Sequence, residues 1–314
     1  MKNKLLLIGL IVVVAVARYA VGNYEFSQAG SVTEIFIIRG VGSLFMDFRL
    51  KVLLMMATVA LMVMDWRRNK RPDYFWVGVA GTLIAALLEI LAIASGERQI
   101  HVNYLFGVEL PLIVDLPVRA IAEFAFYAVL LLFFSDRMLQ EKTRKNTIIV
   151  FAMVTVAFNA ISFANGIQTP NYGGDVLSRR AMTGTGSLIF MGIIVYIVAA
   201  FFLTKPRSEG DEAGKYLLAR PTDADRQRGL YLLILLAIFL SVGQLTEYLA
   251  GARWVEIGPF GSTRHAHPFI ELIGLAYNAL VEGAVYYMPY YTLPLGLKLV
   301  ESIKNEGGRK CVTS

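Results

Sequence analysis

The chain reads as an all-α, polytopic integral membrane protein of about eight transmembrane helices, and three observations lead there. Mean hydropathy is +0.56. Hydrophobic residues make up 56% of the 314 and charged residues only 17%, where soluble chains carry about 25% charged. The apolar residues fall in long continuous runs and do not alternate with period two, which selects helices over barrel strands.

In order, the runs are Leu5 to Ala17, Val52 to Met64, Tyr74 to Leu88, a segment near 112–134, Thr147 to Gly174, Ala181 to Thr204, Gly229 to Thr246, and a last segment near 268–291. They count as eight spans of helical length. The first also has the form of a cleavable signal peptide, with Met1 to Lys4 ahead of the apolar run and Ala15-Val16-Ala17 behind it. Its apolar character continues to Val21, which favours a retained span, and removal would leave seven spans in the same orientation. Ser31 to Glu34 has the spacing of a capping box, so residues 35–48 are expected to form a short interfacial helix leading into the second span.

The whole of 1–314 reads as one transmembrane domain. Residues 205–228 are a polar, charge-mixed cytoplasmic loop and 299–314 a cytoplasmic tail. A faint repeat suggests two four-helix halves, 1–140 and 146–298. Glu89, Gly96, Phe106-Gly107, Pro111 and Asp115 recur in order as Glu247, Gly251, Phe260-Gly261, Pro268 and Glu271, a plan used by transporters.

Lysine and arginine set the orientation. With the amino terminus inside, the loops on its side hold twenty of the thirty basic residues, and the opposite loops hold six: Arg39, Arg98, Arg179, Arg180, Arg253 and Arg264. This positive-inside bias places both termini in the cytoplasm and the chain in the cell (inner) membrane. The net charge of +6 is thereby explained by topology, and no RNA- or DNA-binding motif points to a nucleic-acid partner.

The candidate site lies within the spans. Asp115, Arg119 and Glu123 share one helical face four residues apart, in a segment otherwise apolar enough to cross a bilayer. Each such charge costs about 2.5–3.5 kcal/mol at a bilayer centre, so they should point inward. Asp115 lies two residues before Pro117 and Glu271 three after Pro268, so both are expected in first turns, where an acid complements the helix dipole. Glu89, Glu123, Glu247 and Glu282 lie deeper. Four deep acids against one firmly placed base, Arg119, leave acid in excess, as proton relays and cation sites require; a buried ion-pair network that only fixes packing is the alternative. Arg119 is the nearest partner for Glu123 on its own helix. Tyr248, Tyr277, Tyr286 and Asn278 are candidate binding residues around Glu282, although core packing also accounts for aromatics there.

His265 and His267, with Glu271 a turn beyond, have the donor types of a metal site, but helix capping or headgroup contact accounts for them better, so no metal is favoured and no cofactor is predicted. The single Cys311 excludes multi-cysteine metal sites and an internal disulfide. Retinal binding, intramembrane proteolysis and polyprenyl transfer are set aside, since the lysine, the histidine-bearing dyads and the paired aspartate motifs they need are not visible; nor is a Walker A loop.

The expected function is that of a membrane carrier with an acid-rich intramembrane site, proton- or cation-coupled. One alternative is a membrane enzyme using a protonated carboxylic acid on an isoprenoid or lipid substrate; another is a structural or respiratory-complex subunit. The partners implied are the bilayer and a small molecule, ion or apolar substrate.

Overall fold

The computed structural model describes residues 34–40, 42–43, 48–94, 96–100, 104–105, 108–168, 176–182, 185–206, 220–259 and 263–301. The first expected span, His101, Phe106-Gly107, Gly261, most of the 205–228 loop and Cys311 lie outside them. Among the described residues the protein is mostly helical, and five helices are long and apolar enough to cross a membrane: Asp73–Ala94, Ile113–Leu139, Glu141–Gln168, Asp223–Leu249 and Pro268–Gly296.

In chain order the elements are β1 (Glu34–Gly40), α1 (Phe48–Asn69), α2 (Asp73–Ala94), β2 (Arg98–Ile100), β3 (Tyr104–Leu105), β4 (Val108–Glu109), α3 (Leu112–Arg119), α4 (Phe126–Leu139), α5 (Glu141–Gln168), β5 (Val176–Ala181), α6 (Thr185–Leu203), α7 (Asp223–Leu249), β6 (Arg253–Gly258), β7 (Arg264–His265), α8 (Pro268–Ala279) and α9 (Pro289–Gly296). A π-helical turn, Ala120–Ala125, joins α3 to α4, and a second, Leu280–Val285, follows α8. The helix α1 is long enough to span but carries Arg49, Lys51 and Asp65 among its apolar residues. Lys51 and Asp65 are buried, so these two charges are turned inward, while Arg49 is exposed.

A five-stranded antiparallel sheet, ordered β2-β5-β1-β6-β7, corrects the all-α expectation. Its strands come from connections separated by pairs of helices, which returns each of them to the same end of the bundle. The interfacial helix expected over 35–48 is in part the strand β1. Residues 35–38 form an unbroken apolar run because both faces are covered: Ile37 packs with Val255 and Leu275, while Phe36 and Ile38 pack with Ala181 and Trp254. A strand buried on both faces does not show the alternation that betrays a half-exposed one. The start of the sixth expected span also differs, since Ala181 belongs to the strand Val176–Ala181, ahead of the helix Thr185–Leu203.

The bundle core runs through α4, α7 and the last span, where Leu131, Leu132, Leu236, Met288, Tyr290 and Tyr291 are fully buried. At the end away from the sheet, Arg228 ties three helices together. It meets Asp136 through Nε at 2.5 Å and Nη2 at 2.8 Å, and Asp73 at 3.4 Å, while the Tyr74 hydroxyl donates to Asp136 at 2.9 Å. Thr222 and Asp225 form a full capping box for α7 there, which ends the expected 205–228 loop six residues early.

Candidate functional site

The register of the sheet decides which side chains reach the bundle. Residues opposite each other in antiparallel strands share a face. Arg39 stands opposite Arg253 and Arg98 opposite Arg180, and Ile37 stands opposite both Arg180 and Val255. Two like-charge pairs therefore sit side by side on one face, an arrangement that is destabilising unless acids intervene. The spanning helices supply them. Arg39 meets Glu123 at 3.0 Å, Arg98 meets Glu89 at 2.8 Å, Arg253 meets Glu247 at 2.7 Å through Nε, and Arg180 pairs with Glu282. Each pair joins a strand of the sheet to a helix of the bundle.

Secondary contacts orient the acids. Ser43 donates to Glu247 at 2.5 Å, and Asn278 accepts from Arg253 at 3.2 Å while donating to Glu282 at 2.7 Å. Arg119 binds chiefly Asp115, at 2.7 Å, and lies 3.9 Å from Glu123. Lys51, with no exposed surface, stands 3.7 Å from Glu123 and 3.8 Å from Asp115. The expected pairing of Glu123 with Arg119 is thus the weaker of its contacts. Asp115 and Glu271 do lie in the first turns of their helices, but their carboxylates also reach other partners: Asp115 is ion-paired with Arg119, and Glu271 accepts from Val255 N and the Tyr248 hydroxyl, both at 3.2 Å.

The expected excess of acid is not found, because the outer arginines turn inward. Burial lowers the pKa of Arg98 and of Arg253 to about 10, each partly offset by its own glutamate, so both remain charged at neutral pH. Burial acts against Arg39 as well, but Glu123 and Glu247 outweigh it and hold this guanidinium above the ordinary arginine value.

Both π turns lie at the site. Glu123 sits in one and Glu282 in the other, a backbone irregularity common at functional positions. They are tied together by the Tyr287 hydroxyl, which donates to the Glu123 carbonyl at 2.8 Å, and by Phe124 stacked on Tyr287.

Between sheet and bundle lies a cavity of about 80 Å³. Its charged wall consists of Arg39, Arg98, Arg180, Arg253, Glu123, Glu247 and Glu282, and its floor is aromatic, with Phe124, Tyr127, Phe158, Phe239 and Tyr287. Asn278 and Gln244 also line it. A second cavity of about 50 Å³ is lined by Glu89, Tyr286, Arg180 and Glu282 among others. The Arg180–Glu282 pair therefore borders both.

Of the residues singled out in the sequence, Glu123, Glu247, Glu282 and Asn278 meet at the larger cavity, Glu89 and Tyr286 at the smaller, and Asp115 and Arg119 behind Glu123. Tyr277 packs beside Val255 and Leu275, and Tyr248 serves Glu271. His267 caps α8, accepting from Phe269 N at 3.3 Å, and His265 stacks on Trp254. Among the described residues, no group of three histidine, cysteine or acidic side chains could hold a metal ion.

Sequence reasoning missed Arg39, Lys51, Arg98, Arg180 and Arg253. One signal pointed to them: all six basic residues of the outer loops are arginine and none is lysine, the choice suited to buried ion pairs. No family model, curated protein or solved structure matches this chain.

Proposed function

We propose that this protein is a membrane carrier whose substrate site is the larger cavity, with movement coupled to protons through the glutamates of its wall. The observation that carries the reading is the position of the Arg180–Glu282 pair, which lines two cavities at once. On this reading, parting the pair opens a route from one cavity to the other. A buried carboxylate separated from its guanidinium takes up a proton rather than stand charged in low dielectric, which ties opening to protonation. The π turn at Glu282 leaves the backbone there less strongly tied than in a regular helix, and transporters use broken helices at such points. The positive-inside bias supports a cell (inner) membrane location with both termini cytoplasmic and the sheet outside.

An enzyme acting on an apolar lipid has less support, because Glu89, Glu123, Glu247 and Glu282, the deep acids of the site, each have a basic partner among the described residues. The test is solute-driven proton flux in proteoliposomes loaded with a pH-sensitive dye, screened across small organic anions, cations and neutral solutes. One class should drive flux, and Glu282→Gln should abolish it while the protein stays folded. A protein that moves no protons with any class, yet loses stability when any one pair is broken, would leave only a structural role.

A further inference from the structure

We infer that the larger cavity binds a short-chain monocarboxylate, held by the paired arginines of the sheet with its alkyl group on the aromatic floor. The inference rests on the carrier reading for the site but not for its fate, since binding can be tested without transport.

Three features of the cavity select the ligand. The first is charge: among the described residues, the ion pairs at and behind the wall join six cations, Arg39, Lys51, Arg98, Arg119, Arg180 and Arg253, to five carboxylates, Asp115, Glu89, Glu123, Glu247 and Glu282. One positive charge is left over, which calls for a monoanion. The second is the donor geometry. Arg98 is buried, and among the described residues the Nε of Arg98 and the Nε of Arg180 have no hydrogen-bond partner; these two residues stand opposite each other in the sheet. Planar guanidinium forks match a carboxylate better than a spherical ion, because two parallel N–H donors meet its two oxygens. The third is size and polarity. About 80 Å³ is roughly half the 150 Å³ of a cavity that holds benzene, which limits a ligand to about four or five heavy atoms. Phe124, Tyr127, Phe158 and Phe239 offer such a ligand an apolar surface, which an inorganic anion would not use. A short alkyl carboxylate meets all three requirements.

The steric boundary can be moved without touching a charge. Gly243 lines the cavity, and a Cβ there would meet nothing closer than Asn159 Oδ1, at 3.7 Å. Gly243→Ala should fold normally and take up cavity volume.

The experiment is a thermal-melt titration of the full chain in detergent with sodium acetate, propionate, butyrate, octanoate, propylammonium chloride and sodium chloride, at constant ionic strength. Acetate and propionate should give saturable stabilisation, with butyrate, at six heavy atoms, binding more weakly and octanoate, propylammonium and chloride giving none. Gly243→Ala should shift the optimum to a shorter acid, and Arg98→Gln should weaken apparent affinity at least tenfold. Because Arg98→Gln can lose stability by itself, the glycine variant keeps the inference falsifiable. Equal stabilisation by chloride, stabilisation by the amine, saturable binding of octanoate, or no saturable effect of any acid would overturn it. Carboxylate binding without carboxylate-driven flux would refute the carrier reading and leave this inference standing; flux driven by another solute class, with no carboxylate binding, would do the reverse.

Discussion

Glu123 faces three cations at once, Arg39 at 3.0 Å, Lys51 at 3.7 Å and Arg119 at 3.9 Å. Glu123→Gln keeps the size of the side chain but leaves those cations uncompensated in a buried setting, so it should destabilise by about 3–5 kcal/mol. Adding Arg39→Gln should recover part of the loss, since one of the stranded charges is then removed. A double-mutant cycle on detergent melting measures it, and strict additivity would show that the two do not interact. The acids were legible in the sequence because a charge stands out in an apolar run. Their partners were not, because Arg39, Arg98, Arg180 and Arg253 lie between spans, where a basic residue ordinarily meets solvent. Only strand register turns them inward. A second prediction concerns Glu256, whose carboxyl is raised by burial but held below the ordinary glutamate value by hydrogen bonds from Thr263 and Trp254 and by Arg179. The folded state therefore favours the carboxylate more than the unfolded chain does. Its contribution is complete above about 4.5, the ordinary value, and fades as pH falls through the lower folded value. With Trp66 and Trp76 replaced by Phe, the emission of Trp254 should follow this acid titration, and Glu256→Gln should remove it. An unchanged titration in that variant would assign it to another group.

At the scale of the element, close approach is set by small residues. A Cβ on Gly81 of α2 would come within 3.1 Å of the Ala125 Cα and 3.3 Å of Tyr290, so α2 packs directly on the first π turn. Gly81→Val should force them apart at a cost of about 1–3 kcal/mol, whereas Gly243→Ala, in open space, should gain about 0.5–1 kcal/mol from helix propensity. Melting temperatures of the two variants decide it; equal shifts would mean that α2 is free to move away. The spanning helices were readable from apolar length alone. The π turns were not, because Ala-Ile-Ala-Glu-Phe-Ala and Leu-Val-Glu-Gly-Ala-Val are ordinary helical sequences, and the extra residue per turn is imposed by what packs around them. The strands escaped for another reason: they are two to seven residues long, shorter than any window that detects a span.

On the whole-molecule scale, the sheet collects connections from one end of the bundle and the Arg228 cluster closes the other. On the proposed topology, with both termini cytoplasmic, the sheet lies outside. In a Cys311→Ser background, Arg264→Cys should therefore label with an impermeant thiol reagent in intact cells, and Lys142→Cys should label only after permeabilisation; both positions are exposed. The reverse pattern would invert the topology.

The central strand β1 has its two neighbours, β5 and β6, far later in the chain. During synthesis, Glu34 to Gly40 emerges early; one edge waits for β5, and the other stays unpaired until the connection before α8 has been made. Its Ile-Phe-Ile-Ile run in that interval is the kind of bare apolar edge that pairs with other chains. A product cut short after α7 would never cover it, and would also leave Glu247 without Arg253. Premature termination there should thus leave one edge of the central strand bare, a site for pairing with other chains.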